Sequence, residues 1–331
     1  MRAFTCEVCE QLLFFENSSC LRCGTSQGFD PERLALVDAS ERTRCAAANV
    51  AQCNWLLAPD DSQRFCSSCR LTRTRPNDGD AGGLVEFAKA EAAKRRLLFT
   101  LLDLGLPIDR GDLHFDLLSS RAQPIVTGHD DGLITLDLAE SDDVRREARR
   151  AQLDEPYRTL LGHFRHEIGH YYWPMLVERV GESELERFRA LFGDERVSYE
   201  ESLEHHYAQG PPDGWRDRYV SAYATMHPWE DWAESFSHYL HIRDTLQTAA
   251  EFGLDVGGPA VTGDPLLSAT PLPELGGAPF RELIESWLPL TYALNALNRS
   301  MGHDDLYPFT LAPAVIEKLG YVHQRVTAHS S

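Results

Sequence analysis

The residues best suited to chemistry are His166-Glu167-Ile168-Gly169-His170, joined about sixty residues later by Glu230, Asp231 and Glu234. Positions four apart on a helix share one face, so His166 and His170 can aim two imidazoles at one metal ion while Glu167 leans toward a water on that metal. Zinc in such a site lowers the pKa of its water to about 7. A carboxylate beside that water is then placed to act as general base during attack on a polarised carbonyl. Glu167 is therefore the expected catalytic residue, and His166 and His170 are expected metal ligands.

Both histidines need a rigid carrier. Leu160, Leu161, Phe164, Ile168, Tyr171 and Tyr172 recur at helical spacing around the motif, and Trp173-Pro174 is expected to end that helix soon after His170. A catalytic zinc takes three protein ligands and keeps a fourth position open. Trp173 and Leu176 stand where a Gly and a further His would extend the motif, so the third ligand is expected from another helix. Pro228–Ile242 fits that description, with Pro at its start and Trp232, Phe236, Tyr239 and Leu240 at three- and four-residue steps. It offers Glu230, Asp231 and Glu234. His163, one turn before His166, is expected to be a structural hydrogen-bonding residue.

Cysteine usage points to a second kind of site. All eight cysteines fall within the first 69 residues. Cys6-x-x-Cys9 and Cys20-x-x-Cys23 make two short knuckles, suited to a tetrahedral four-cysteine zinc; Cys45, Cys53 and Cys66-x-x-Cys69 make a less regular second set. Paired Cys-x-x-Cys without an apolar leader after Met1-Arg2 favours metal over disulfides, and none of the three pairs has the strand-helix context of a thioredoxin-like redox motif. Three zinc ions are expected in all, one catalytic and two structural.

His166-Glu-Ile-Gly-His170 together with Trp232-Ala-Glu234-Ser-Phe236 resembles the gluzincin branch of zinc metallopeptidases. That resemblance carries the third-ligand role onto Glu234, with His238 one turn on and able to orient a ligand. The residues themselves leave Glu230 and Asp231 open as alternatives. With the cysteine-rich start and the string His227-Pro-Trp-Glu-Asp-Trp-Ala-Glu234 included, most of the chain resembles a family of bacterial zinc-binding metallopeptidases that carry an N-terminal zinc ribbon. The implied fold is α+β: a zincin-like metallopeptidase domain with a mostly helical C-terminal part, preceded by a small four-cysteine zinc-ribbon module.

At 331 residues and 43% hydrophobic, the chain can bury a large core and hold two or three units. The expected organisation is a cysteine module over 1–75, a turn-rich linker over 76–83 and a metallopeptidase domain over 84–331. Within the last, a helix is expected from Leu84 to Leu104, then strands at His114–Leu118, Pro124–Val126 and Leu133–Leu138 ahead of the histidine helix. In zincin-like folds the run Gly132–Leu138 would be an edge strand that pairs with extended substrate. Nine Gly and Pro crowd between Gly257 and Gly277, so that stretch is expected to be loop.

Net charge is −19, while residues 1–75 carry nine basic and nine acidic side chains, so the acidic excess lies in the remainder and argues against nucleic-acid binding there. The apolar stretch Leu97–Leu106 is too short to span a bilayer. Tyr223 and His227 are candidate donors to a developing oxyanion, and Met301–Pro308 is a candidate flap over the cleft. The resulting expectation is a cytoplasmic zinc metallopeptidase acting on a peptide or protein substrate, with a protein partner held through the ribbon and no membrane association. Two alternatives remain: a zinc amidase acting on a non-protein amide, which shares every residue named here, and a zinc-ribbon scaffold whose zincin domain is degenerate, against which the intact Glu167 and ligands argue.

Overall fold

The computed structural model describes residues 2–120, 125, 127–141, 159–258 and 277–330. The chain divides into two compact units, Met1–Ala151 with Arg158–Glu167, and Gln152–Tyr157 with Ile168–Ser331. The division falls inside one continuous helix.

In the first unit the cysteine segment folds as two antiparallel hairpins, β1 (Phe4–Thr5) with β2 (Leu12–Leu13) and β3 (Gln27–Asp30) with β4 (Ala35–Asp38), before helix α1 (Ser67–Arg70) and strand β5 (Thr72–Thr74). Helix α2 (Ala81–Asp103) comes next. Asp80 caps it, its side chain accepting a hydrogen bond from Gly83 N at 2.9 Å, so the helix begins three residues earlier than the expected Leu84 and takes in the end of the expected linker. Phe99 of α2 packs into the aromatic cluster of the hairpins, with ring centroids 5.3 Å from Phe15 and 5.7 Å from Phe29; Trp55 lies 5.0 Å from Phe29.

A four-stranded sheet completes this unit in the order β5-β6-β8-β7, where β6 is His114–Leu118, β7 Gly128–Asp130 and β8 Leu133–Asp137. β6 runs parallel to both β5 and β8, while β7 is antiparallel to β8. Thr72–Thr74, at the end of the cysteine segment, supplies one edge of this sheet by pairing with β6. The expected substrate-pairing edge at Gly132–Leu138 is instead an inner strand, because Asp131 (φ 43°) and Gly132 (φ 84°) form a tight left-handed turn that folds β7 back against it. Pro124 and Val126, expected to form a strand, lie outside the described residues.

Helix α3 (Leu160–Leu176) carries the histidine motif. It runs past Trp173-Pro174 to Leu176, since a proline this close to a C-terminus removes one hydrogen bond without forcing a stop. The second unit adds α4 (Glu182–Phe192), α5 (Tyr199–Gln209), α6 (Pro228–Glu251), α7 (Phe280–Ser300) and α8 (Pro313–Ser330). Its core holds Trp232 of α6 near Phe192 of α4 and Tyr321 of α8, at centroid distances of 6.0 and 6.2 Å. Arg325 of α8 donates from Nε to Leu176 O at 2.9 Å, satisfying a terminal carbonyl of α3. Among the described residues no helix is long and apolar enough to cross a membrane.

Candidate metal centres

The cysteines assemble into two tetrads, Cys6, Cys9, Cys20, Cys23 and Cys45, Cys53, Cys66, Cys69, with the sulfurs of each tetrad within 4.8 Å of one another. Sγ–Sγ separations are 3.6 Å for Cys6 and Cys23, 3.5 Å for Cys9 and Cys20, and 3.6 Å for Cys53 and Cys66. A disulfide needs about 2.05 Å. A tetrahedron with zinc–sulfur bonds of about 2.3 Å has an edge of about 3.8 Å, so the thiol sets fit zinc. Both knuckles of the first tetrad place a left-handed residue just after their second cysteine, Glu10 at φ 58° and Gly24 at φ 76°. All four thiols of the second tetrad are buried. Glu91 of α2 reaches to 3.9 Å of Cys69 Sγ, and Arg95 donates to Ala51 O and Gln52 O at 3.1 Å each.

The third centre is built on α3 and α6. Gly169 lets α6 come close: a Cβ at Gly169 would lie 3.0 Å from Ala233 Cα and 3.2 Å from Phe236 Cβ. Trp232 Nε1 donates to Gly169 O at 2.8 Å. α6 starts at Pro228, with His227 as its N-cap: Nδ1 accepts from Trp229 N at 3.1 Å, and Nε2 lies 3.2 Å from Val197 O. Both ring nitrogens of His227 thus serve the backbone, and its role is capping.

With α6 so placed, His166, His170 and Glu230 each bring one ligand atom within 4.8 Å of the others. Glu230 is 2% exposed; its Oε1 lies 3.4 Å from His170 Nε2 and accepts from Tyr199 OH at 3.0 Å. Two imidazoles and a carboxylate are the donor set of a catalytic zinc, so these residues fit that metal. Glu234, the third ligand implied by resemblance, is not in this group. It sits one turn along α6, about 6 Å further by helix geometry. The neighbours that make it resemble a ligand, Trp232, Ala233 and Phe236, are the residues that pack at the crossing with α3. Asp231 faces elsewhere, its Oδ2 2.5 Å from Lys318 Nζ on α8.

Glu167, 5% exposed, places Oε1 3.1 Å from His163 Nε2, and His163 Nδ1 lies 2.7 Å from Glu140 Oε2. Burial opposes charge on His163, but the Glu140 and Glu167 carboxylates outweigh it and hold the imidazole pKa up at about 9. Burial, reinforced by the Glu230 carboxylate and Tyr199, pushes the Tyr223 phenol well above its ordinary range. His238 Nδ1 lies 2.7 Å from Tyr307 OH, so the Met301–Pro308 segment is anchored on α6 through a buried tyrosine. A cavity of 590 Å³ opens beside α5, lined in part by Ser198, Glu201, His205, Asp213 and Met226. Tyr199 and Glu140 stand far from the motif residues in the chain, and no sequence signal marks either.

A fold with two cysteine tetrads and a histidine–carboxylate centre is that of a zinc-binding protein with a metallopeptidase-like domain. The chain belongs to the family described as "putative zinc-binding metallo-peptidase", whose model matches residues 84–325; a zinc-ribbon domain model matches residues 3–80. Similar proteins include uncharacterized proteins of Mycobacterium bovis and Mycobacterium tuberculosis, each 52% identical over 333 residues that span 98% of this chain and 94% of the relative. No solved structure matches.

Proposed function

We propose that this protein is a zinc-dependent peptidase of gluzincin type, with His166, His170 and Glu230 holding the catalytic metal and Glu167 as general base. The observation that carries the reading is the meeting of those three donors on α3 and α6, with Glu167 on the same helix as both histidines. Zinc bound there would supply a Lewis acid for the scissile carbonyl and lower the pKa of a water. Glu167 would take a proton from the attacking water as its oxygen bonds to the carbonyl carbon, and would deliver it to the amine nitrogen as the C–N bond breaks. Tyr199 and Tyr223, beside Glu230, are the nearby hydroxyl donors. The two thiol tetrads are structural zinc sites, and zinc–thiolate sites suit a reducing compartment such as the cytoplasm. A protein partner would meet the first tetrad, whose knuckles expose Val8 (62%) and Leu21 (93%).

Peptide-library profiling with and without a zinc chelator tests the reading. Chelator-sensitive cleavage, in protein carrying close to three zinc per chain, is the expected result. Hydrolysis confined to non-peptide amides would make the protein an amidase, and hydrolysis of nothing in protein with full zinc would favour the scaffold alternative.

A further inference from the structure

A chain of three side chains, the partly buried His163 between the buried Glu140 and Glu167, ends on the general base assigned above, and nothing in the metal chemistry requires the first two. His163 stands one turn before Glu167 on α3, so the two share a face. Glu140 reaches the same imidazole from the 3-10 turn Leu138–Ser141 directly after β8, and is itself 2% exposed. The separations are 2.7 Å from Glu140 Oε2 to His163 Nδ1 and 3.1 Å from His163 Nε2 to Glu167 Oε1. We propose that His163, held by Glu140, is a positioning residue that fixes the Glu167 carboxylate for proton transfer. This rests on the peptidase reading and extends it.

A neutral imidazole has one N–H and cannot donate to two carboxylates at once; the imidazolium donates to both. The raised pKa of His163 agrees with that form. Charge-assisted hydrogen bonds of this kind are short and roughly twice as strong as neutral ones. Engaging Oε1 of Glu167 restricts the carboxylate's rotation and so orients it for proton transfer. The bond from Glu140 fixes the imidazole in turn, as a carboxylate behind a histidine does in other catalytic sites. An ordinary packing histidine would place its second nitrogen on a backbone carbonyl or in solvent. Here it meets the base.

The test uses the full-length zinc protein and the variants His163→Gln, His163→Ala and Glu140→Gln. Each should keep its zinc and leave KM within a few-fold, while kcat falls by about 10–100-fold, the usual effect of removing a residue that orients a catalytic group. Gln at 163 still donates one hydrogen bond and should lose less than Ala. In the same zinc protein, proton NMR should show a far-downfield Nδ1–H resonance of His163 that disappears in Glu140→Gln. Wild-type kcat in His163→Gln and Glu140→Gln, or losses that merely track lost zinc or lost folding, would overturn the proposal. Glu167→Gln separates the two readings: if it abolishes turnover while the His163 variants do not, only the positioning role falls, whereas near-normal turnover in Glu167→Gln removes the general base itself.

Discussion

Gly169 and Ala233 meet where α3 crosses α6, so closely that a Cβ on Gly169 would lie 3.0 Å from Ala233 Cα. The neighbouring atom is backbone, which has little room to give. This approach brings Glu230 to His170, and the helix spacing is therefore part of the proposed metal site. Gly169→Val should force the helices apart, at about 1–3 kcal/mol for overpacking, and should lower zinc occupancy on the histidine site while both tetrads stay loaded. Zinc analysis with thermal melting would check it, and a variant with wild-type zinc and stability would show the crossing is not distance-critical.

The third ligand can be decided by paired substitutions. Glu230→Ala should empty the histidine site, because it removes a metal bond, whereas Glu234→Ala should leave zinc in place or weaken it by about 10–100-fold. If Glu234→Ala releases the metal and Glu230→Ala does not, the grouping seen here is not the ligand set.

The orientation of α6 has its own lock. Asp231 and Lys318 are 1% and 7% exposed at the side chain and lie 2.5 Å apart, and Lys318 Nζ also donates to Arg218 O at 2.8 Å. Lys318→Met would leave the Asp231 carboxylate buried without its cation, a loss of about 3–5 kcal/mol. Adding Asp231→Asn should recover part of that stability, since the uncompensated charge is then gone. Denaturant unfolding of both variants would show it; equal stability of Lys318→Met and wild type would mean the pair contributes nothing.

What was legible in the sequence was local. His166 and His170 sit four apart on a helix, and the knuckle cysteines sit three apart in turns, so their spacing alone implies a shared site. Glu230 was harder to choose over Glu234, because both lie on the same side of α6 and only the crossing at Gly169 and Ala233 decides which one reaches His170. Asp131-Gly132 was a readable signal of a tight hairpin, and with it β8 would have been recognised as an inner strand. Asp80 was likewise a readable N-cap. The pairing of Thr72–Thr74 with β6 and the reach of Glu140 to His163 join residues far apart in the chain, and no spacing rule reports them.

The most direct measurement is the kcat of Glu167→Gln on a peptide that wild type cleaves, with zinc content determined on the same sample. Gln keeps the shape of Glu167 but cannot accept the proton, and His166, His170 and Glu230 are untouched. The expected result is full zinc and a kcat lower by about 10²–10⁴-fold. A Glu167→Gln protein that retains its zinc and turns over within a few-fold of wild type would contradict it.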